Sequence, residues 1–260
     1  MPPLLNHKDH ARPSIFTPEN LLREARRQKT IAPGHVPDVC VLDPDGDFWR
    51  ALKSANARRN PFWACYHTDL FDCDLPGGTV GVLGCAVGAP FAVLVAEELF
   101  ASGCRFLVSI TSAGQLVPAA SSPPYFVLIE RALRDEGTSY HYLPPSDYVA
   151  IREDALTVAR RVQTVVPNMC AGDTWTTDAP FRETEAAIAF ARGEGLLAVE
   201  METAALYALA QSKGYPIACF AHVTNQMGIE GRDFEKGEDD GNIAFRRLVA
   251  AAAEAWRSRP

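Results

Sequence analysis

The stretch GTVGVLGCAVGAPFAVLVAEELFASGCRFLVSITSAG, residues 78–114, decides the fold class. Residues 78–83 form a short apolar run after the turn signal Leu75-Pro76-Gly77-Gly78, which predicts a strand. Residues 90–102 carry Ala, Val, Leu and Glu at helical spacing, open on Pro90 and close on Gly103, which predicts a helix. Residues 106–110 are again short and apolar. Runs of this kind, unlike alternating ones, fit strands buried on both faces of a sheet.

The same alternation extends in both directions. Upstream, residues 36–42 and 62–69 read as strands and 48–56 as a helix. Downstream, 125–129 and 216–223 read as strands, and 154–165, 199–213 and 242–257 as helices. Thr17-Pro18-Glu19 starts a further helix with a capping hydroxyl, a proline in the first turn and an acid at the positive end of the dipole. Residues 1–14 are polar and rich in proline and histidine. The organisation expected is an N-terminal arm and helix over 1–34 and one α/β domain over 35–260. Its central sheet is mixed, mostly parallel, and flanked by helices on both faces. Ligands of such sheets bind beyond the carboxyl ends of strands, so the chemistry is sought there.

Apolar residues make up 47% of the 260, enough for a sizeable core. The net charge of -7 argues against a basic nucleic-acid surface and against a polybasic membrane anchor. The seven cysteines are odd in number, scattered and without a CxxC pair, which fits reduced thiols in the cytoplasm rather than disulfides or a zinc frame. His67, His141 and His222 show no metal spacing, so no metal is expected. No apolar run approaches the ~20 residues of a spanning helix.

Four segments follow strands or begin helices. Gly84-Cys85-Ala86-Val87-Gly88-Ala89-Pro90 lets backbone approach a ligand and offers free N–H groups at a helix start. Ser109-Ile110-Thr111-Ser112-Ala113-Gly114 ends a buried strand with hydroxyls and a glycine, suited to an anion or a polarised water. Gly172-Asp173-Thr174-Trp175 through Thr184 places a flat aromatic among polar groups, with Arg182 further on. Val199-Glu200-Met201-Glu202 brings two carboxylates to an apolar helix. A buried carboxylate needs hydrogen-bond donors, and a ribose diol supplies two. Each segment alone also has a plain structural use: a tight turn, a strand end, a core tryptophan, a pair of solvated acids.

Together they resemble the nucleoside phosphorylase and nucleosidase superfamily. Val-Glu-Met-Glu before a small-residue helix is similar to its most diagnostic motif. Val87-Gly88-Ala89-Pro90, Thr111-Ser112-Ala113-Gly114, Gly172-Asp173-Thr174-Trp175 and Val223-Thr224-Asn225 match further motifs in the family's order, over roughly residues 36–256. The resemblance implies that Met201, Glu200 and Glu202 hold the ribose and that Glu202 steadies an oxocarbenium sugar. Trp175 stacks on the base, with Asp173 in the same segment. Thr111, Ser112, Gly114 and Gly88 line the substrate. Arg182 bonds an oxo group of the base, as an arginine nearby does in uridine phosphorylases, and together with Asn225 stabilises charge developing on the base. Purine-selective bacterial members and nucleosidases carry an aspartate where this chain has Asn225; an amide cannot deliver a proton, which points to a pyrimidine.

The chain departs from the family's phosphorylases at the phosphate site. Their Gly-Asp-Pro-x-Arg loop corresponds to Leu42-Asp43-Pro44-Asp45-Gly46-Asp47, and their arginine before the central loop corresponds to Ser109. Either Arg58, Arg59 or a neighbouring subunit supplies the countercharge, or Asp43, Asp45 or Asp47 activates a water. The expectation is phosphorolysis of a uridine-like nucleoside, with inorganic phosphate as co-substrate and no cofactor. Hydrolysis of the same bond is the alternative, and nucleoside binding without turnover a third. The resemblance also implies a homo-oligomer, a dimer or a hexamer of dimers, with His7, His10 or His35 reaching a neighbour's site. Residues 228–241, polar and punctuated by glycine, read as a lid or a solvated loop.

Overall fold

In the computed structural model, which describes residues 3–117, 122–226 and 234–259, the deciding stretch forms β3 (Gly78–Gly84), α3 (Ala89–Ala101) and β4 (Phe106–Gln115). Between them lies β1 (Val39–Asp43), parallel to both. All five residues of β1 are buried, as a strand covered on both faces requires. Pro76 and Gly77 turn the chain from β2 (Leu70–Leu75) into antiparallel β3, with Gly77 at φ 94°.

Beyond β4 the sheet branches. β4 pairs in parallel with β9 (Ile217–Asn225) and antiparallel with β8 (Ala198–Glu200). β8 runs parallel to β7 (Met169–Thr177), and β7 parallel to β5 (Tyr125–Asp135). β5 then pairs antiparallel with β9, so five strands return on themselves, and with the short edge strand β6 (Tyr148–Ala150). Five of the nine pairings among the described residues are parallel, which is the mixed α/β sheet expected.

Helices cover the sheet. α6 (Thr203–Lys213) is buried over its first eight residues, so it runs through the core and not across a surface. It packs on α3. α2 (Asp47–Ser54), α4 (Glu153–Val165) and α7 (Asn242–Arg257) contact one another or neighbouring strands. α1 (Pro18–Lys29) begins where expected, with the Thr17 hydroxyl accepting the Asn20 N–H at 3.3 Å. Among the described residues no helix is long and apolar enough to cross a membrane.

Four element readings change. Residues 62–69 are not a strand: the Trp63 indole donates to the Thr68 carbonyl and the His67 N–H to Cys65 Sγ, so side chains satisfy a coiled loop locally. The strand is β2 just after it. Thr111–Gly114 are not a loop but the end of β4, with a register shift between Ala113 and Gly114. The helix expected from Val199 begins at Thr203, because Ala198–Glu200 pair with β7. β6 and α5 (Glu185–Gly193) add elements that the sequence pattern does not signal. Residues 228–233 of the expected lid lie outside the described residues; Glu238–Gly241 form a 3-10 turn.

Candidate active site

The residue at the start of α6 is Glu202, 1% exposed. As a helix N-cap its side chain would ordinarily accept N–H groups of its own first turn. It makes no such bond. Its carboxylate instead accepts the Gly88 N–H at 2.7 Å and the Thr111 hydroxyl at 2.7 Å. Gly88, at φ 93°, is in a conformation that L side chains rarely adopt, and this presents its N–H. Three of the four segments therefore meet at one carboxylate. Burial, then the nearby charge of Glu200, push the Glu202 carboxyl up to about 8; the Thr111 and Gly88 bonds oppose the rise and Asp45 adds to it.

Glu200 is buried and its oxygens are taken by protein donors. The Thr174 and Thr176 hydroxyls donate to Oε1, and the N–H groups of Glu202 (2.8 Å) and Thr203 (2.7 Å) donate to Oε2. Burial raises its carboxyl above the usual range. Its position serves the backbone of α6, in place of the ribose contact expected for it. Met201 lies half-buried between the two acids.

The first loop packs against the end of β4. Asp43 accepts the N–H groups of Gly46 (3.1 Å) and Trp49 (2.9 Å), which fastens the start of α2; burial lifts its carboxyl to about 6. Asp47 pairs with Arg50 at 2.9 Å and Lys236 at 2.5 Å. Asp45 Oδ2 accepts the Ser112 N–H at 2.9 Å. A cavity of about 20 Å³ lies here, lined by Asp43, Asp45, Asp47, Thr111, Ser112 and His222 among others. That is room for one water. His222 stacks on Phe126 with ring centroids 4.7 Å apart, and burial holds its pKa down at about 4, so it is neutral at ordinary pH. Arg58 and Arg59, expected as countercharges, are paired with Asp72 (3.0 Å) and Asp69.

Trp175, Val199, Gly114 and Asn225 sit in one row across β7, β8, β4 and β9. Asn225 is half-buried at the end of its strand. Strand alternation sends Thr174 and Thr176 towards Glu200 and Trp175 to the opposite face. There the indole is 5% exposed, packs with Leu116, Leu196 and Val199, and donates to Asp135 at 2.9 Å. It lines a cavity of about 310 Å³ with Asp135, Tyr140, Asp147 and Phe190, in which Glu202 takes no part. The indole therefore does not lie over the Glu202 carboxylate. Asp173 is bound by Arg131 through Nε (2.9 Å) and Nη2 (2.7 Å). Arg182 is exposed on the 3-10 turn Pro180–Arg182, beside a fully exposed Phe181. The structure thus gathers Gly88, Thr111, Ser112, Glu200 and Glu202, and leaves Trp175, Asp173 and Arg182 apart from them. Sequence reasoning missed the Thr174/Thr176 pair and the Asp45–Ser112 bond; a Thr-x-Thr at strand spacing is the available signal for the first.

The profile of the phosphorylase superfamily matches residues 45–255. The chain belongs to that superfamily. Within it, a guanosine phosphorylase of Halorubrum lacusprofundi is 28% identical over 230 residues, 84% of this chain and 89% of that one. An uncharacterised protein, R802 of Acanthamoeba polyphaga mimivirus, is 27% identical over 146 residues, a match that spans 56% of either chain. Among solved structures, the uridine phosphorylase of Vibrio fischeri ES114 complexed with 6-hydroxy-1-naphthoic acid superposes with a TM-score of 0.71 at 18% identity, covering 90% of this chain and 99% of that one. At that identity the likeness shows the shared superfamily fold, into which the converging segments fit.

Proposed function

We propose that this superfamily member cleaves the N-glycosidic bond of a ribonucleoside, with a pyrimidine base. The observation that carries the reading is the Glu202 carboxylate, buried, unpaired with any cation among the described residues and held by one N–H and one hydroxyl at the strand ends. The ribose hydroxyls donate to it when it is ionised. As the bond to the base stretches, its negative charge stabilises the oxocarbenium sugar, an interaction that strengthens in the transition state. Asn225 offers an amide donor to an oxo group of the base. Met201 packs on the sugar. Trp175 supports the row of strand ends from behind and leaves stacking on the base to other contacts.

For the acceptor the geometry favours water. Phosphate needs N–H groups and cations. The Ser112 N–H is already given to a carboxylate, and the adjoining cavity is water-sized and lined by Asp43, Asp45 and Asp47. Asp45 takes the proton of that water as its oxygen bonds the anomeric carbon, and the bonding electrons leave with the base, which departs as an anion and takes a proton from solvent. Phosphorolysis, expected from the sequence, remains the second reading, favoured by relatives named as phosphorylases. Uridine incubated with the enzyme, with and without phosphate, decides between them by chromatography. Equal uracil release and free ribose in both support water. Release that requires phosphate, yielding ribose 1-phosphate, overturns it. No cleavage of any ribonucleoside under either condition overturns the enzymatic reading itself.

A further inference from the structure

A helix N-terminus leaves its first N–H groups unsatisfied, and the N-cap side chain usually takes one of them. In α6 that task is done by residues outside the helix. Glu200 Oε2 accepts the N–H groups of residues 202 and 203, and Thr176 Oγ1 accepts the Ala204 N–H at 3.0 Å. Three consecutive amides are thus satisfied from β8 and β7. The same Thr176 hydroxyl donates its own proton to Glu200 Oε1, so one hydroxyl joins the two capping groups. Thr174 adds a second hydroxyl to that oxygen at 3.2 Å. All of these groups are buried.

We infer that Thr176 is a positioning residue: through Glu200 it caps α6 from the neighbouring strand and so frees the Glu202 carboxylate to face Gly88, Thr111 and substrate. With the clamp in place, the amides of residues 202–204 are already accepted, and the Glu202 side chain turns outward. Without it, the orphaned amides at the helix start compete for the nearest carboxylate, which is Glu202. Glu200 therefore acts on the helix backbone, and its charge beside Glu202 is a consequence of where the clamp must sit. This rests on the reading of Glu202 as the carboxylate that receives the ribose.

The test is a set of variants assayed for nucleoside cleavage. Thr176→Val keeps the shape and removes the hydroxyl. It is expected to lower kcat about 100-fold, the scale of a misplaced catalytic group, with a smaller change in KM. Thr176→Ser, which restores the hydroxyl without the methyl, is expected to recover most of that loss. Glu200→Gln is expected to move the pH inflection of kcat/KM that belongs to Glu202 downward, since the acids facing Glu202 are Glu200 and Asp45 and one of them is then neutral. A folded Thr176→Val with wild-type kcat and pH profile overturns the inference, and so does a Thr176→Ser as impaired as the valine variant. If the valine variant does not fold, the serine and glutamine variants decide: wild-type kcat in the former with a shifted inflection in the latter supports the clamp, and an unshifted inflection overturns it. Full activity of Glu202→Gln overturns the underlying reading of the site; an inactive Glu202→Gln beside a wild-type-like Thr176→Val overturns the clamp alone.

Discussion

Glu202 keeps its carboxylate among neutral donors, an amide and a hydroxyl, with Glu200 and Asp45 as the charges that act on it. Its carboxyl is raised from the usual range to about 8. A carboxyl whose folded pKa lies above its unfolded one contributes stability below the unfolded value, and that contribution is lost as pH rises through the folded value. From the ordinary carboxylate range up to about pH 8 that loss proceeds at about 1.4 kcal/mol for each step of one in pH. Glu202→Gln is expected to abolish turnover and to leave the protein as stable as wild type at pH 5 and more stable at pH 8, read by thermal melts at both. A variant less stable at pH 8 would make the residue structural. The ionised form is also the one that accepts a diol, so kcat/KM is expected to rise with pH through about 8 and to flatten above it. This residue is legible in the sequence because Val-Glu-Met-Glu is a local motif. The place of Trp175 is not: its face depends on the parity of β7, and the segment does not read as a strand.

At the scale of elements, the site is an arrangement of strand ends and one turn. β7 presents Thr174 and Thr176 to one face and the indole to the other, a consequence of period-two alternation alone. β4 runs on through Thr111–Gly114 because β9 pairs with it along that length and β8 joins at Gly114, information that lies far away in the chain. Local patterning finds the strand–helix–strand of residues 78–114 and the helix of residues 242–257, where apolar spacing and Pro or Gly punctuation agree. It misses what long-range pairing decides: the three-residue strands β6 and β8, and the true position of β2. The turn into α3 has its own test. Gly88 stands at φ 93°, and a Cβ there would meet only Pro90 Cδ, at an ordinary 4.0 Å, so an alanine meets backbone strain and no clash. Gly88→Ala is expected to cost about 1–3 kcal/mol by chemical denaturation and to lower kcat/KM, because relaxing φ turns the N–H away from Glu202. A variant with unchanged stability and activity would remove Gly88 from the site.

At the scale of the whole molecule, the fold concentrates its apolar surface unevenly. β1, the first eight residues of α6 and most of β4 are sealed in the core, while Ile15, Phe16, Val87 and Phe181 stand in solvent, Phe181 at 99% exposure. Val87 belongs to the turn that holds Glu202 through Gly88, and Phe181 neighbours Arg182 on the turn after β7. The homo-oligomer that the sequence resemblance implies predicts that a second copy of the chain covers Phe181. Sedimentation of the purified chain is expected to give a mass of at least a dimer, and Phe181→Asp is expected to shift it toward the monomer and to raise KM for nucleoside with little change in melting temperature. A wild-type chain that sediments as a monomer at working concentration would leave Phe181 to another partner, and a monomeric Phe181→Asp with unchanged KM would separate assembly from the site.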